Sequence, residues 1–459
     1  MAFRTESDSI GSKQIRAEAY YGVQSLRGAE NFHITGAKLH PEFINSLAAI
    51  KKASALNNLA VGELDKSICD AICQACDEIM AGQFHDQFIC DAIQGGAGTT
   101  ANMNANEVIA NRAIEILGGT KGDYSVVHPN DHVNRAQSTN DVIPTAGKIT
   151  TIKLLQAAVK ELQRLEKSLA AKEKEFDSVV KMGRTQMQDA VPIRLGQEFG
   201  AYRSVVARDL KRFSELMPYL YSINMGGTAI GTCLNANRGY VGHIAVTLGE
   251  ITGLPLVKAD DLVDATQHVD VFAQVSGVLR TCALSLSKMA NDLRLMSSGP
   301  RTGFGEINLP AKQNGSSIMP GKVNPVIPEV MSQVAFNIIG NDVAITMAAE
   351  GGQLELNAFE PVIYYNLFES IMTLTNGVNT FIDNCIDGIT ANEKHCADLV
   401  HGSVGIITAI CPKVGYQLAA SIAKEAIKTG ASVRELLERE NIFTKEELDE
   451  ILDVYAMTK

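Results

Sequence analysis

The amino-acid sequence predicts an all-α protein organised around an elongated central bundle of five long helices. Three observations lead there. Strand patterning is scarce, apolar residues recur at steps of three and four over long stretches, and no region has the composition of a disordered tail. The 459 residues suffice for more than one domain, and 46% hydrophobic with 20% charged residues is ordinary for a globular chain.

The first long helix is expected over 142–179, where Ile149, Ile152, Leu155, Val159, Leu162, Leu165 and Leu169 repeat at helical spacing. Pro144 reads as its opening residue, because the first turn of a helix has no use for the missing N–H. Comparable stretches run over 195–221, 262–296, 326–349 and 354–389. At 1.5 Å per residue each is on the order of 35–55 Å long. Several are apolar on more than one face, so packing against helices of other subunits is expected. Smaller, mainly helical domains flank the bundle, giving divisions at 1–140, 141–391 and 392–459, with helix-like runs at 415–429 and 432–440 in the last.

A formal net charge of −11 without a basic run argues against nucleic-acid binding. No window approaches the ~20 apolar residues of a membrane-spanning helix. The polar start Met1-Ala2-Phe3-Arg4-Thr5-Glu6 lacks a secretory-leader pattern, so a cytoplasmic location is expected. Nine cysteines in so long a chain do not read as a disulfide scaffold. Cys69, Cys73 and Cys76 have a spacing that can hold an iron–sulfur cluster, but it is also the pitch of one helical face shared with Ile68, Ile72 and Ile79. They read as small residues buried on a helix.

Four polar clusters each precede a helix start. They are Gly95-Gly96-Ala97-Gly98-Thr99-Thr100, Gln137-Ser138-Thr139-Asn140-Asp141, Gly183-Arg184-Thr185-Gln186-Met187-Gln188-Asp189, and the run from Gly315-Ser316-Ser317 through Met319-Pro320-Gly321-Lys322-Val323-Asn324-Pro325. Helix N-termini offer unpaired N–H groups and a positive dipole end, which suit carboxylates. Taken singly, Thr99, Ser138 or Asp141 reads as an N-cap. Together the clusters describe a polydentate anion site if the fold unites them. The fourth is not a phosphate-binding P-loop: five residues separate Gly315 from Gly321, and Val323 stands where a magnesium-binding hydroxyl belongs. In His128-Pro129-Asn130-Asp131-His132 the two histidines lack a third ligand, so the segment reads as a polar loop or secondary anion site, and no metal is expected there.

The 315–325 run resembles the signature of the fumarase/aspartase superfamily, and the other three clusters match that family's remaining active-site segments in order. The likeness extends from Ala19-Tyr20-Tyr21-Gly22-Val23-Gln24 to Gly405-Ile406-Ile407-Thr408. Within the superfamily, the runs 224–232, 322–330 and 351–361 resemble the aspartase branch more than class II fumarase. Gln186 stands where fumarases usually carry histidine. Departures are Ala136, where relatives often have serine, and the absence of a proline before Tyr20-Tyr21-Gly22.

The resemblance implies a homotetramer with a twenty-helix core, each active site drawing segments from three subunits. It implies reversible deamination of L-aspartate to fumarate and ammonia, with malate dehydration by a class II fumarase as the alternative. The hard step is removal of a Cβ proton, which leaves an enediolate with two negative charges on one carboxyl group, so donors aimed at those oxygens matter most. By resemblance, Thr99, Ser138, Thr139 and Ser317 hold this β-carboxylate; Thr185, Lys322 and Asn324 hold the α-carboxylate; Asn140 lies near the amino group; and Gln186 and Met319 are further substrate contacts. Ser316 matches the general base, whose alkoxide needs loop N–H groups and the Lys322 ammonium for stabilisation. Glutamine at 186 cannot titrate, which suits ammonia leaving from an already protonated amine better than water leaving from a C–OH bond. No cofactor is implied as required, and Mg2+ activation is left open.

Overall fold

A computed structural model describes residues 2–459. The fold is all-α, with five helices of 25 to 37 residues at Thr139–Glu175, Leu195–Tyr221, Asp270–Met296, Val326–Glu350 and Glu360–Asn384. Among the described residues, strands form four two-stranded sheets. Among the described residues, no helix is long and apolar enough to cross a membrane.

The helix Leu195–Tyr221 has the bounds its periodicity predicts. The first long helix starts earlier than expected, at Thr139, which places Pro144 inside it. A proline there deprives the carbonyl four residues back of its helix donor. The carboxamide of Asn224 substitutes, donating to the Asn140 carbonyl at 3.0 Å. The stretch expected over 262–296 is broken, because His268 is extended (φ −102°, ψ 136°) between the short helix Asp264–Gln267 and Asp270. The last long helix starts at Glu360, with Pro361 in its first turn, where proline is well suited.

The chain divides into two compact units. The first comprises residues through Ala158, Arg212–Arg280 and Asn337–Thr373. Its helix Pro41–Ala60 is buried on most sides and has no clean polar face, since the successive residues Leu47, Ala48, Ala49, Ile50 and Lys51 are all enclosed. Cys69, Ile72, Cys76 and Ile79 of helix Lys66–Met80 and Val108, Ile109 and Ile114 of helix Thr99–Ile116 extend this core. Glu107, buried in that last helix, accepts the backbone N–H groups of Gly22 (2.8 Å), Gln24 (2.8 Å) and Ser25 (3.0 Å). A carboxylate from one helix thus caps the start of another, Val23–Asn31, and pins the Tyr20-Tyr21-Gly22 segment before it. Gly147 lets Tyr364 approach closely: an added Cβ would lie 2.3 Å from the Tyr364 ring.

The second unit comprises Val159–Lys211, Thr281–Phe336 and Leu374–Lys459. The hairpin Val180–Thr185/Gln188–Arg194 shares a core with the C-terminal helices, where Met182 meets Val400, Ile406, Ile422, Leu437 and Leu448. Those helices include Tyr416–Thr429 and Val433–Glu440, close to the runs expected from sequence. Ser432 with Glu435 and Thr444 with Glu447 form reciprocal capping boxes that fix two helix starts.

Candidate active site

The first two clusters lie in the first unit. Gly98, at φ +84°, is the N-cap of helix Thr99–Ile116, and an added Cβ there would sit 3.0 Å from the Ile143 side chain. The backbone angle strains any residue but glycine, and the Ile143 side chain leaves little space for a Cβ. Thr99 is therefore the first helical residue instead of the cap, and its hydroxyl donates to the Gly96 carbonyl at 2.7 Å.

Ser138 does cap its helix. Its Oγ accepts the Asn140 N–H at 3.2 Å, and its own N–H donates to Asp141 Oδ1 at 2.9 Å. Asp141 Oδ2 accepts the N–H groups of Gly226 (3.1 Å) and Thr228 (3.0 Å), which ties the cluster to the 224–232 run. Burial pushes the Asp141 carboxyl up to about 7, against the pull of those N–H groups and of Lys51.

Lys51 escaped the sequence reading, since nothing in the run Ile50-Lys51-Lys52 marks it. Its fully buried ammonium donates to the carboxamide oxygens of Asn102 (2.7 Å), Asn134 (2.8 Å) and Gln137 (2.9 Å). Burial draws its pKa down to about 7, while the charge of Asp141 raises it. Three acceptors and no facing donor match an ammonium, so we assign Lys51 as charged.

The third and fourth clusters lie in the second unit. Thr185 ends one strand of the hairpin, and Gln186 (φ +53°) and Met187 (φ +65°) form its two-residue turn. Positive φ at both positions is the geometry favoured for such turns, yet it normally calls for Asn or Gly. Two ordinary side chains held there mark stored strain, which recurs at functional sites. The neighbouring Arg184 is fixed by Glu306 at 2.6 Å and lies 4.3 Å over the Phe304 ring.

The fourth cluster is a loop closed on itself. Gly315 N–H donates to the Lys322 carbonyl at 2.7 Å, and Asn324 Nδ2 donates to the Gly315 carbonyl at 2.8 Å. An added Cβ on Gly315 would stand 2.6 Å from the Lys322 oxygen. Inside the loop, Ser316 Oγ accepts the N–H groups of Ile318 and Met319, both at 3.2 Å. Two N–H dipoles aimed at one hydroxyl oxygen favour its deprotonated form. Ser317, Met319 and Lys322 are exposed within the single chain, and Glu329 sits in the first turn of helix Val326–Glu350.

In the histidine segment, His128 Nδ1 accepts from the N–H groups of Asn130 (3.2 Å) and Asp131 (3.1 Å), and His132 Nδ1 accepts from His128 N–H (2.9 Å). The rings thus occupy N–H groups that would otherwise face an anion. Burial lowers the His132 pKa. His128, Asn130, Arg27 and Thr99 line one polar cavity of about 780 Å³. Cys69, Cys73 and Cys76 lie on helix Lys66–Met80, the first and last buried, as their helical spacing predicts.

The description "Lyase" matches residues 11–340, and "Fumarase C C-terminus" matches 406–459. The chain belongs to the lyase family that includes the fumarases and aspartases. It is 57% identical over 457 residues to an aspartate ammonia-lyase of Bacillus subtilis (strain 168), covering 100% of this chain and 96% of the relative. It is 46% identical over 454 residues to that of Escherichia coli (strain K12), covering 98% and 95%. Among solved structures, a fumarate lyase:delta crystallin from Brucella melitensis bound to cobalt aligns with a TM-score of 0.97 at 47% identity, covering all of both chains. A class II fumarase from Schistosoma mansoni aligns at 0.96 with 36% identity, covering 99% of each.

Proposed function

We infer that this chain catalyses the reversible deamination of L-aspartate to fumarate and ammonia. The observation that carries the chemistry is the Ser316 oxygen facing the N–H groups of Ile318 and Met319. Full-length identity of 57% to an aspartate ammonia-lyase favours ammonia over water as the leaving group.

In this reading, Ser316 as alkoxide takes the Cβ proton, and the electron pair of that C–H bond moves into the adjacent carboxylate to give the enediolate. Hydroxyls of Thr99, Ser138, Thr139 and Ser317 stabilise the added charge. The pair then returns to form the C=C bond as the C–N bond breaks, and the already protonated amine leaves as ammonia. Lys322, Thr185 and Asn324 hold the other carboxylate, and Asn140, Gln186 and Met319 complete the substrate contacts. The donor set supplies the charge stabilisation itself, so we propose no obligatory cofactor; a Mg2+ titration of the rate tests for activation. The segment His128 to His132 is proposed as a secondary anion site, supported by the side chains of His128 and Asn130, which line the polar cavity with Arg27 and Thr99, and not by the backbone N–H groups the rings already occupy.

We propose a homotetramer whose active sites each draw on three subunits. Phe336, Val343 and Met347 support this: on a helix of high apolar content, each of the three is more than 60% exposed in the single chain. Static light scattering tests it, and a monomer would refute it. The division at 1–140, 141–391 and 392–459 belongs to the same proposal. Nine free cysteines suit a reducing compartment, supporting a cytoplasmic location. The reaction is tested by following fumarate absorbance from L-aspartate and, separately, from L-malate. Turnover of aspartate is expected; turnover of malate alone would replace the reading with fumarate hydratase.

A further inference from the structure

We propose that the turn formed by 224–229 locks the Asn140 carboxamide as an acceptor for the substrate ammonium, with Asn224 as the positioning residue. The proposal deepens the deamination reading and rests on it.

Asn140 Nδ2 donates to the Ala229 carbonyl at 2.7 Å. Only the nitrogen end of an amide can face a carbonyl oxygen, so this contact fixes the flip and leaves Oδ1 as the open end. An ammonium has donors and no acceptor. A carboxamide presenting oxygen therefore receives it, and one presenting N–H would oppose it.

The backbone of Asn140 is held as firmly as its side chain. Because Pro144 has no N–H, the Asn140 carbonyl would lack a helix partner. Asn224 Nδ2 fills that place at 3.0 Å and also donates to Thr266 Oγ1 at 3.0 Å, while Thr145 donates to Asn224 Oδ1 at 3.3 Å. Every arm of this buried carboxamide is engaged, so its own orientation is fixed too. Asp141 adds the second tie, accepting the N–H groups of Gly226 and Thr228. Thr228 sits at φ +57°, an uncommon angle for a β-branched residue, immediately before the carbonyl-bearing Ala229. The proline and the amide that replaces its donor act on the backbone of Asn140, and the strained turn on its side chain, so all three converge on one residue of the second cluster.

The test compares the KM for L-aspartate with the inhibition constant for succinate, a dicarboxylate without the amine, in Asn224→Asp and Asn224→Ala. Loss of the amide donor should raise the aspartate KM by ~10-fold or more, the scale of one hydrogen bond to a charged group. The succinate constant should change by less than about 3-fold, because its carboxylate donors remain. A simple loss of folded protein lowers the active fraction and moves neither constant. Should either variant fold poorly, Pro144→Ala in the Asn224→Ala background returns a helix N–H to the Asn140 carbonyl, and recovery of aspartate affinity is expected. Equal changes in both constants, or none in either, would overturn the lock. Wild-type protein inactive on aspartate would instead overturn the deamination reading beneath it.

Discussion

Lys51 donates its ammonium to the Gln137 side-chain oxygen at 2.9 Å, one residue before Ser138. Asn102, a second acceptor of Lys51, also donates to Thr139 Oγ1 at 3.4 Å, so the buried charge is linked to the second cluster at both Gln137 and Thr139. Lys51→Met keeps much of the stem but leaves the carboxamide oxygens of Asn102 and Gln137 without a donor, while Asn134 Oδ1 keeps Asn102 Nδ2 at 3.2 Å. At about 1–3 kcal/mol for each unsatisfied group, a loss of several kcal/mol is expected. A urea titration reads it as a lower unfolding midpoint, and an unchanged midpoint would show that the three contacts do not hold the core.

Ser316 gives a sharper expectation. Ser316→Ala removes the proposed base while leaving the carboxylate donors in place, so turnover should fall by at least ~10²-fold. Gly315→Ala should also slow the reaction, since its Cβ would press on the Lys322 carbonyl at 2.6 Å and open the loop. Initial rates of fumarate formation measure both. A near-normal rate for Ser316→Ala would assign proton abstraction to another group.

The legible parts of the chain were those written in local order. Leu195–Tyr221 declared itself by apolar spacing, and the four clusters by hydroxyls and amides ahead of helix starts. Pro144 misled because a donor from Asn224, far along the chain, makes a proline tolerable inside the helix. The hairpin Val180–Thr185/Gln188–Arg194 was missed because its turn, Gln186-Met187, has none of the glycine or asparagine that announces such a turn. Lys51 was invisible for another reason: its partners come from two separate segments, Asn102 on one helix and Asn134 with Gln137 ahead of another, and only burial distinguishes it from Lys52. The contacts of Asp141 with Gly226 and Thr228 were likewise a product of the fold alone.

The same hairpin turn supports a stability prediction. Met187 is exposed and held at φ +65°. The left-handed conformation costs a residue with a side chain roughly 1–2 kcal/mol, part of which glycine's larger unfolded-state entropy offsets. Met187→Gly should therefore stabilise the protein by about 1 kcal/mol, read as a raised denaturation midpoint. Gln186 is left in place because it is a proposed substrate contact. A lower midpoint would mean that the Met187 side chain makes contacts whose loss outweighs the relieved strain.

Glu360 provides the pH dependence. Tyr364 donates to its Oε1 at 3.0 Å, while Oε2 is buried with no hydrogen-bond partner among the described residues. Burial pushes its carboxyl up to about 8, opposed by the Tyr364 hydroxyl and the charge of Lys148. Unfolded, a glutamate titrates near ~4.3. The folded state therefore keeps a proton that the unfolded state has released throughout the interval between those values. Stability from this group is complete below about pH 4, falls as pH rises, and is lost by about pH 8, at a limiting slope on the order of 1 kcal/mol per pH unit. Glu360→Gln imitates the protonated form at every pH. Its denaturation midpoint relative to wild type should thus rise steadily from pH 5 to pH 8, and a constant difference across that range would show that Glu360 is ionised in the folded protein.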